Sequence, residues 1–348
     1  MYDLLIRGVQ LADGLGNPLK TADISVQGGR ITEVGRIDGA AKQIIDADGL
    51  VLAPGIVDVH THYDAQLTWD SDATPSPSLG VTTVVVGNCG FSIAPCPPEC
   101  RDLIARNLAE VEGMSLAALR SGTNWEFESF AEYLALLRRK GVTPNVAAFI
   151  GHSAVRTMVM GEEASERAAN EDEVAAMRDL VAAGMDAGAI GFSTSTSLNH
   201  HGDGGVPMPS RLAEESELRS LVGVLGEKGR GVFQLTVGPS MTSEVMESIA
   251  ADNGCPVFQT AALYNEAFPE RAPKMVRDSA AAQGRGNQLW AQVSCQSLSM
   301  NFALTAAFPL QSLDAWKPLI DADHESFERQ ISGAEFRNRF RHELDTGP

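Results

Sequence analysis

Residues 57–64 read VDVHTHYD, placing two imidazoles, His60 and His62, one residue apart at the end of an apolar run. Side chains of an extended segment alternate, so ring nitrogens at i and i+2 face the same side and can share one metal ion. Such a pair leaves room for a third protein ligand and a water. The chemistry is hydrolytic: a metal there lowers the pKa of water and polarises a carbonyl. Alone, a His-x-His pair also suits two hydrogen-bonded core histidines. The strand expected over 56–62, after the Pro54-Gly55 break, puts Asp58, His60, His62 and Asp64 on one face and Val57, Val59 and Thr61 on the other. Four ionisable groups on one face argue for the metal.

The elements that position this pair follow from patterning. Seven apolar runs of strand length recur at 55–62, 81–89, 145–152, 188–194, 231–237, 256–263 and 288–295. Longer amphipathic segments separate them, the signature of β/α repetition around a parallel sheet. One such segment opens with Asn170 and Glu173 at capping-box spacing and carries Val174, Met177 and Val181 on one stripe; another carries Leu218, Leu221 and Leu225. Residues 314–345 read as charged helical turns, with Ser332 and Glu335 again at capping-box spacing. The first 54 residues form short β-type runs around turn signals such as Gly28-Gly29.

The expected architecture is therefore a (β/α)8 TIM-type barrel over 55–348 with strand eight missing, and a small N-terminal β-sandwich domain over 1–54. A doubly wound sheet is the competitor, but GLGNPL at 14–19 lacks the third glycine of a nucleotide fingerprint. In a barrel the chemistry gathers at the C-terminal ends of the strands. His60 and His62 end the first strand, Cys89 the second, His152 the third, and Ser193 and Thr194 the fourth. The Gly- and Pro-rich loop LNHHGDGGVPMPS at 198–210 adds His200 and His201 to the same rim as substrate-side candidates.

Composition narrows the partners. The 348-residue chain carries a formal charge of −18, which opposes gripping a nucleic-acid backbone. The N-terminal MYDLLIRGVQLADG lacks a basic region followed by a long apolar core, and no later run is long enough to span a bilayer, so a cytoplasmic protein without a membrane partner is expected. Five cysteines, Cys89, Cys96, Cys100, Cys255 and Cys295, are too scattered for a disulfide framework. CPPEC, holding Cys96 and Cys100, has no second ligand pair at zinc-finger spacing.

PGIVDVHTHYD at 54–64 resembles the first-strand motif of the amidohydrolase superfamily. GVTTVVVGNCGFSIAP at 80–95 and AGAIGFSTS at 187–195 resemble the N-acyl-D-amino-acid deacylase (D-aminoacylase) branch, and the similarity runs from Tyr2 into the 330s. The resemblance implies zinc-dependent hydrolysis of an amide, with a small-molecule N-acyl amino acid or related amide as partner. By position it makes His60 and His62 the pair that holds one metal and Cys89 the cysteine that helps to hold a second. His152, in GHSAVR, matches a motif beside the site without a ligand role. The chain departs from the branch where FQLTVG and FQTAAL put Thr236 and Ala261 in place of two histidines. One zinc ion rather than two is therefore expected, or else Cys89 is a small buried residue.

The family's metal-binding aspartate and general base follows strand eight, and its counterpart is expected beyond Pro348. Asp314, Asp321 and Asp323 fall in expected helix or loop. The chain by itself reads as a fragment with weak or absent activity, and a catalytically impaired or non-enzymatic homologue is the alternative. A lesser alternative is a serine hydrolase with Ser153 as nucleophile in GHSAV at 151–155, although Val155 stands where the tight elbow needs a small residue.

Overall fold

The computed structural model describes residues 1–266, 268–294, 313–319 and 322–346, together with Ser299, Phe302, Leu304, Ala307 and Leu310. Cys295, Asp321 and Pro348 lie outside the described residues. Internal contacts divide the chain into two compact units, Met1–Val57 with Gly80–Thr82, and Asp58–Leu79 with Thr83–Pro348.

The first unit contains β1 (Tyr2–Leu11), β2 (Lys20–Gln27), β3 (Arg30–Gly35), β4 (Ala41–Asp46) and β5 (Val51–Leu52). The strand order is β3-β2-β1-β4, with β5 also on β1. β1–β2 and β2–β3 are antiparallel, whereas β4 and β5 run parallel to β1. Gly28 and Gly29 make the β2–β3 turn possible: both have positive φ, 59° and 73°, which a two-residue hairpin of the primed type requires. Val9, Ala22, Ile24 and Ala47 form the core of this sheet.

The second sheet contains β6 (Ile56–Asp58), β7 (Val81–Val86), β8 (Asn145–Gly151), β9 (Gly191–Ser195), β10 (Val232–Thr236), β11 (Val257–Thr260) and β12 (Leu289–Ala291). Its order is β12-β11-β10-β9-β8-β7-β6, and the registers from β7 through β12 are parallel. A doubly wound sheet reverses its strand order at a switch point. Here every neighbour in the sheet is a neighbour in sequence, so the sheet winds in one sense, as the strands of a barrel do, and is not doubly wound.

Helices fill the connections. They are α1 (Arg101–Glu112), α2 (Leu116–Gly122) and α3 (Phe130–Lys140) after β7, α4 (His152–Met160) and α5 (Glu171–Ala187) after β8, α6 (Glu215–Lys228), α7 (Ser243–Asn253) and α8 (Arg271–Gly284) after the next three strands, and α9 (His324–Ser332) and α10 (Ala334–Thr346) at the end. α5 starts as its sequence predicts, with a reciprocal capping box between Asn170 and Glu173. It buries Met177, Val181 and Met185, and Gly184 lets it approach the sheet: a Cβ there would stand 2.6 Å from Ile150 Cδ1. Among the described residues no helix is long and apolar enough to cross a membrane.

Most of the expected strands are longer than those observed, as at β7, β11 and β12, and two further departures have a visible cause. The first barrel strand ends at Asp58 rather than His62, because the Asp58 carboxylate accepts the His60 N–H at 3.3 Å and takes that amide out of the ladder. Pairing resumes at Thr61, whose N–H reaches Val85 O at 3.0 Å. Ser332 caps no helix; it is the last residue of α9, and α10 starts at Ala334.

Candidate metal centre

The site is assembled at the C-terminal ends of β6 and β7. His60 and His62 follow β6 on extended chain, and Cys89 sits in the short turn Asn88–Gly90 after β7. Its φ is 58°, a conformation uncommon for a residue with a side chain. Gly87 permits the turn to pass close to β8, since a Cβ there would lie 2.3 Å from Phe149 O. The result brings Cys89 Sγ to 3.2 Å from His60 Nε2 and 3.8 Å from His62 Nε2. All three donor atoms lie within 4.8 Å of one another.

A closed circuit of hydrogen bonds sits behind these donors. The Cys89 N–H donates to Gln234 Oε1 at 2.8 Å, and Gln234 Nε2 donates to Thr260 Oγ1 at 2.9 Å. The Thr260 hydroxyl donates in turn to Gln292 Oε1, which also lies 3.0 Å from His60 Nδ1. An amide oxygen only accepts, so His60 carries its proton on Nδ1. Its Nε2 lone pair therefore faces Cys89 Sγ. A metal-binding histidine characteristically donates its other N–H to an oxygen in this way.

The electrostatics leave the donors uncharged in the absence of a cation. Burial holds the His60 and His62 imidazoles below their ordinary range, and burial followed by repulsion from Glu112 pushes the Cys89 thiol up. His62 Nδ1 is buried without a hydrogen-bond partner, with Glu112 Oε1 at 3.4 Å. Burial and the Asp64 charge push the Glu112 carboxyl up to about 8. Two imidazoles and a thiol that converge with few other partners are a donor set suited to zinc, so the residues present fit the ion.

These groups line a cavity of about 480 Å³ together with Glu112, Ser197, His200 and Arg271. His200 Nδ1 lies 2.7 Å from Ser195 Oγ, and its ring packs edge-on against Phe91 at 4.9 Å. Burial, with repulsion from Arg211, brings its pKa down to about 4.

A sequence profile of the amidohydrolase family matches residues 43–318. The chain belongs to the amidohydrolase family. This amidohydrolase is 44% identical to the D-aminoacylase of Alcaligenes xylosoxydans xylosoxydans over 198 residues, which are 56% of this chain and 37% of that enzyme. A solved D-aminoacylase, described as having a binuclear metal centre with one-metal activation and second-metal attenuation, superposes with a TM-score of 0.67 at 30% identity, covering 84% of this chain and 58% of that one. The N-acyl-D-glutamate deacylase from Bordetella bronchiseptica, complexed with zinc and a phosphonate mimic of the tetrahedral intermediate, gives 0.66 at 29% identity, covering 83% of this chain and 57% of that one. The chain thus spans less than two thirds of these relatives.

The other residues singled out in this amidohydrolase separate by environment. His152 is fully buried: its Nε2–H donates to Glu217 Oε1 at 2.7 Å and its Nδ1 accepts from Thr194 Oγ1 at 2.8 Å. Arg156 completes that network on Glu217, and neither His152 nor Thr194 lines the large cavity. Ser193 accepts from Gly90 N–H at 3.0 Å and donates to Gly87 O, so it braces the Cys89 turn from below. His201 Nδ1 lies 3.2 Å from Asn199 O, and the residue does not line the trio's cavity. Thr236 and Ala261 do line that cavity, at the ends of β10 and β11.

The shared polar face does not hold as one set. Asp58 turns back to the His60 backbone, and Asp64 is buried, accepting from Gly87 N–H at 3.0 Å, with burial pushing it up to about 7. Asp314 pairs with Lys317 at 2.6 Å, and Asp323 caps α9 through Ser326 N–H at 2.9 Å. Cys96, Cys100 and Cys255 are buried free thiols. Ser153 lies inside α4, accepts from Ser210 N–H at 3.3 Å, and borders a cavity of about 20 Å³, room for about one water.

Glu112, Gln234, Thr260 and Gln292 belong to no motif, and the sequence marks the position of three of them without marking a role. Gln234 and Gln292 interrupt apolar strand runs, VFQLT and LWAQ. Glu112 is the last residue of α1, before Gly113 at φ 62°, where the helix dipole disfavours an anion.

Proposed function

We propose that this amidohydrolase cleaves a non-peptide amide C–N bond with one zinc ion held by His60, His62 and Cys89, and that its substrate is an N-acyl-D-amino acid. The observation that carries the reading is the convergence of these three donors within 4.8 Å, at the rim of a cavity large enough for a small molecule. Similarity to D-aminoacylases and N-acyl-D-amino-acid deacylases supports the reaction class and the substrate. One ion rather than two follows from Thr236 and Ala261, neither of which can replace an imidazole at the ends of β10 and β11.

Zinc bound there supplies Lewis acidity for activating water and polarising the amide carbonyl. The chain's own residues do the rest. Gln292 orients His60, and the turn braced by Ser193 presents Cys89. Among the described residues Glu112 is the carboxyl that lines the cavity, and because burial pushes it up to about 8 it holds a proton at neutral pH and is placed to give that proton to the leaving amine.

The test is metal analysis beside turnover of N-acetyl-D- and N-acetyl-L-amino acids. About one zinc per chain is expected, with turnover that is weak for this chain by itself, lost on chelation and greater for the D series. Equal zinc in the wild type and in a His60→Ala, His62→Ala double variant would sink the assignment.

A further inference from the structure

A second cavity, of about 310 Å³, adjoins the metal centre, and the two share Val237 and Arg271 in their walls. Its apolar surface comes from three methionines on different segments: Met241 before α7, Met246 within α7 and Met275 within α8. Their exposures are 4%, 1% and 7%, so the thioethers are part of the packed interior and not a solvent-facing patch. Unbranched methionine side chains adapt to apolar guests of varied shape.

The charges on this wall are unequal in availability, and Glu244 stands among them in the first turn of α7, where the helix dipole favours its carboxylate. Lys274 and Asp278 neutralise each other at 2.6 Å, and Ser243 Oγ donates to the same carboxylate at 2.7 Å. Arg271 pairs with no carboxylate among the described residues, although it stands on the wall common to both cavities. A guanidinium presents a planar fork of donors that matches a carboxylate.

We infer that the methionine-lined chamber is a subsite for an apolar arm of the substrate, with Arg271 at its threshold holding the substrate's carboxylate. The inference rests on the hydrolase reading above for the identity of the amide, but its geometry is independent of turnover. In an N-acyl amino acid the apolar arm is either the acyl chain or the amino-acid side chain. Both share the chemistry of an alkyl group tethered near an anion.

Calorimetric titration of the zinc-loaded protein with octanoate and with octanamide tests the site without catalysis. Octanoate is expected to bind, and Arg271→Met to weaken it on the order of tenfold to a hundredfold while sparing octanamide. Arg271→Lys, which keeps the charge without the fork, falls between. Met241→Trp, which fills the chamber from a loop, weakens both ligands, and Met241→Ala, which enlarges it, does not. No binding of octanoate, equal losses for both ligands in Arg271→Met, or indifference to Met241→Trp overturns the inference. Turnover then locates the arm: Met241→Trp raises KM for N-octanoyl-D-alanine if the acyl chain enters, or for N-acetyl-D-norleucine if the side chain does, and an effect on neither also overturns it. Intact octanoate binding with no hydrolysis of any amide sinks the hydrolase reading and leaves the subsite standing.

Discussion

Gln292 Oε1 lies 3.0 Å from His60 Nδ1, joining residues 232 positions apart in the chain, one just after β6 and the other just after β12. The bond closes the curl of the sheet and fixes the imidazole tautomer that faces Cys89. Replacing Gln292 by Leu removes the acceptor and frees the ring. Zinc affinity should fall about ten- to a hundredfold, the usual cost of losing a partner behind a metal ligand. Gln292→Glu keeps an oxygen in place and should retain nearly wild-type affinity. Competition against a chromophoric chelator measures both, and an unaltered affinity in the Leu variant would remove Gln292 from the site.

Cys89 has two possible fates, third ligand or small buried residue. Its Sγ lies 3.2 Å from His60 Nε2 and 3.8 Å from His62 Nε2, which favours the ligand. Cobalt-substituted protein should show a thiolate-to-metal charge-transfer band in the near ultraviolet that vanishes in Cys89→Ser, with d–d bands remaining from the histidine pair. Identical spectra in the two proteins would return Cys89 to the core.

Fold and capping were legible where local chemistry suffices. All seven strand runs pair in sequence order, and α5 begins where Asn170 and Glu173 predict. Asn170→Ala should therefore cost about 1 kcal/mol, read as a shift of the denaturant midpoint at constant slope. A loss below the error of that measurement would mean the cap is dispensable. The failures came where a side chain intercepted the backbone: Asp58 ended β6 early, and nothing in VDVHTHYD announces that bond. Ser332 had the spacing of a cap but was used as the end of the preceding helix.

The site was legible in part for a related reason. His60, His62 and Cys89 are residue types that carry chemistry wherever they stand, so spacing and strand ends locate them. Gln234, Thr260 and Gln292 acquire a role only through contacts between β10, β11 and β12, which no local pattern encodes. His152 shows the converse. Its residue type suggested chemistry, yet Glu217 and Thr194 occupy both ring nitrogens.

That buried network makes the last prediction, a pH dependence of stability. Burial holds the His152 imidazole below its ordinary value of 6.5, against the opposing pull of Glu217. Burial also pushes the Glu217 carboxyl up, but its bonds to His152 and Arg156 more than offset this and hold it below its ordinary value of 4.5. For both groups the unfolded chain binds a proton more readily than the folded one, so unfolding becomes easier as protons are added. The histidine contribution is complete above about pH 6.5 and is lost as pH falls through the folded value; the Glu217 contribution is lost similarly below about 4.5. His152→Gln, which can accept from Thr194 and donate to Glu217, should cost about 1–3 kcal/mol at pH 7.5 through imperfect bonding. It should also flatten the stability profile just below pH 6.5 while leaving the acid limb below 4.5. Zinc content should match the wild type, because His152 does not line the cavity of the trio. Urea melts between pH 4 and 8 on both proteins decide it: an unflattened profile, or zinc lost without a change in stability, would take His152 out of the structural network assigned to it.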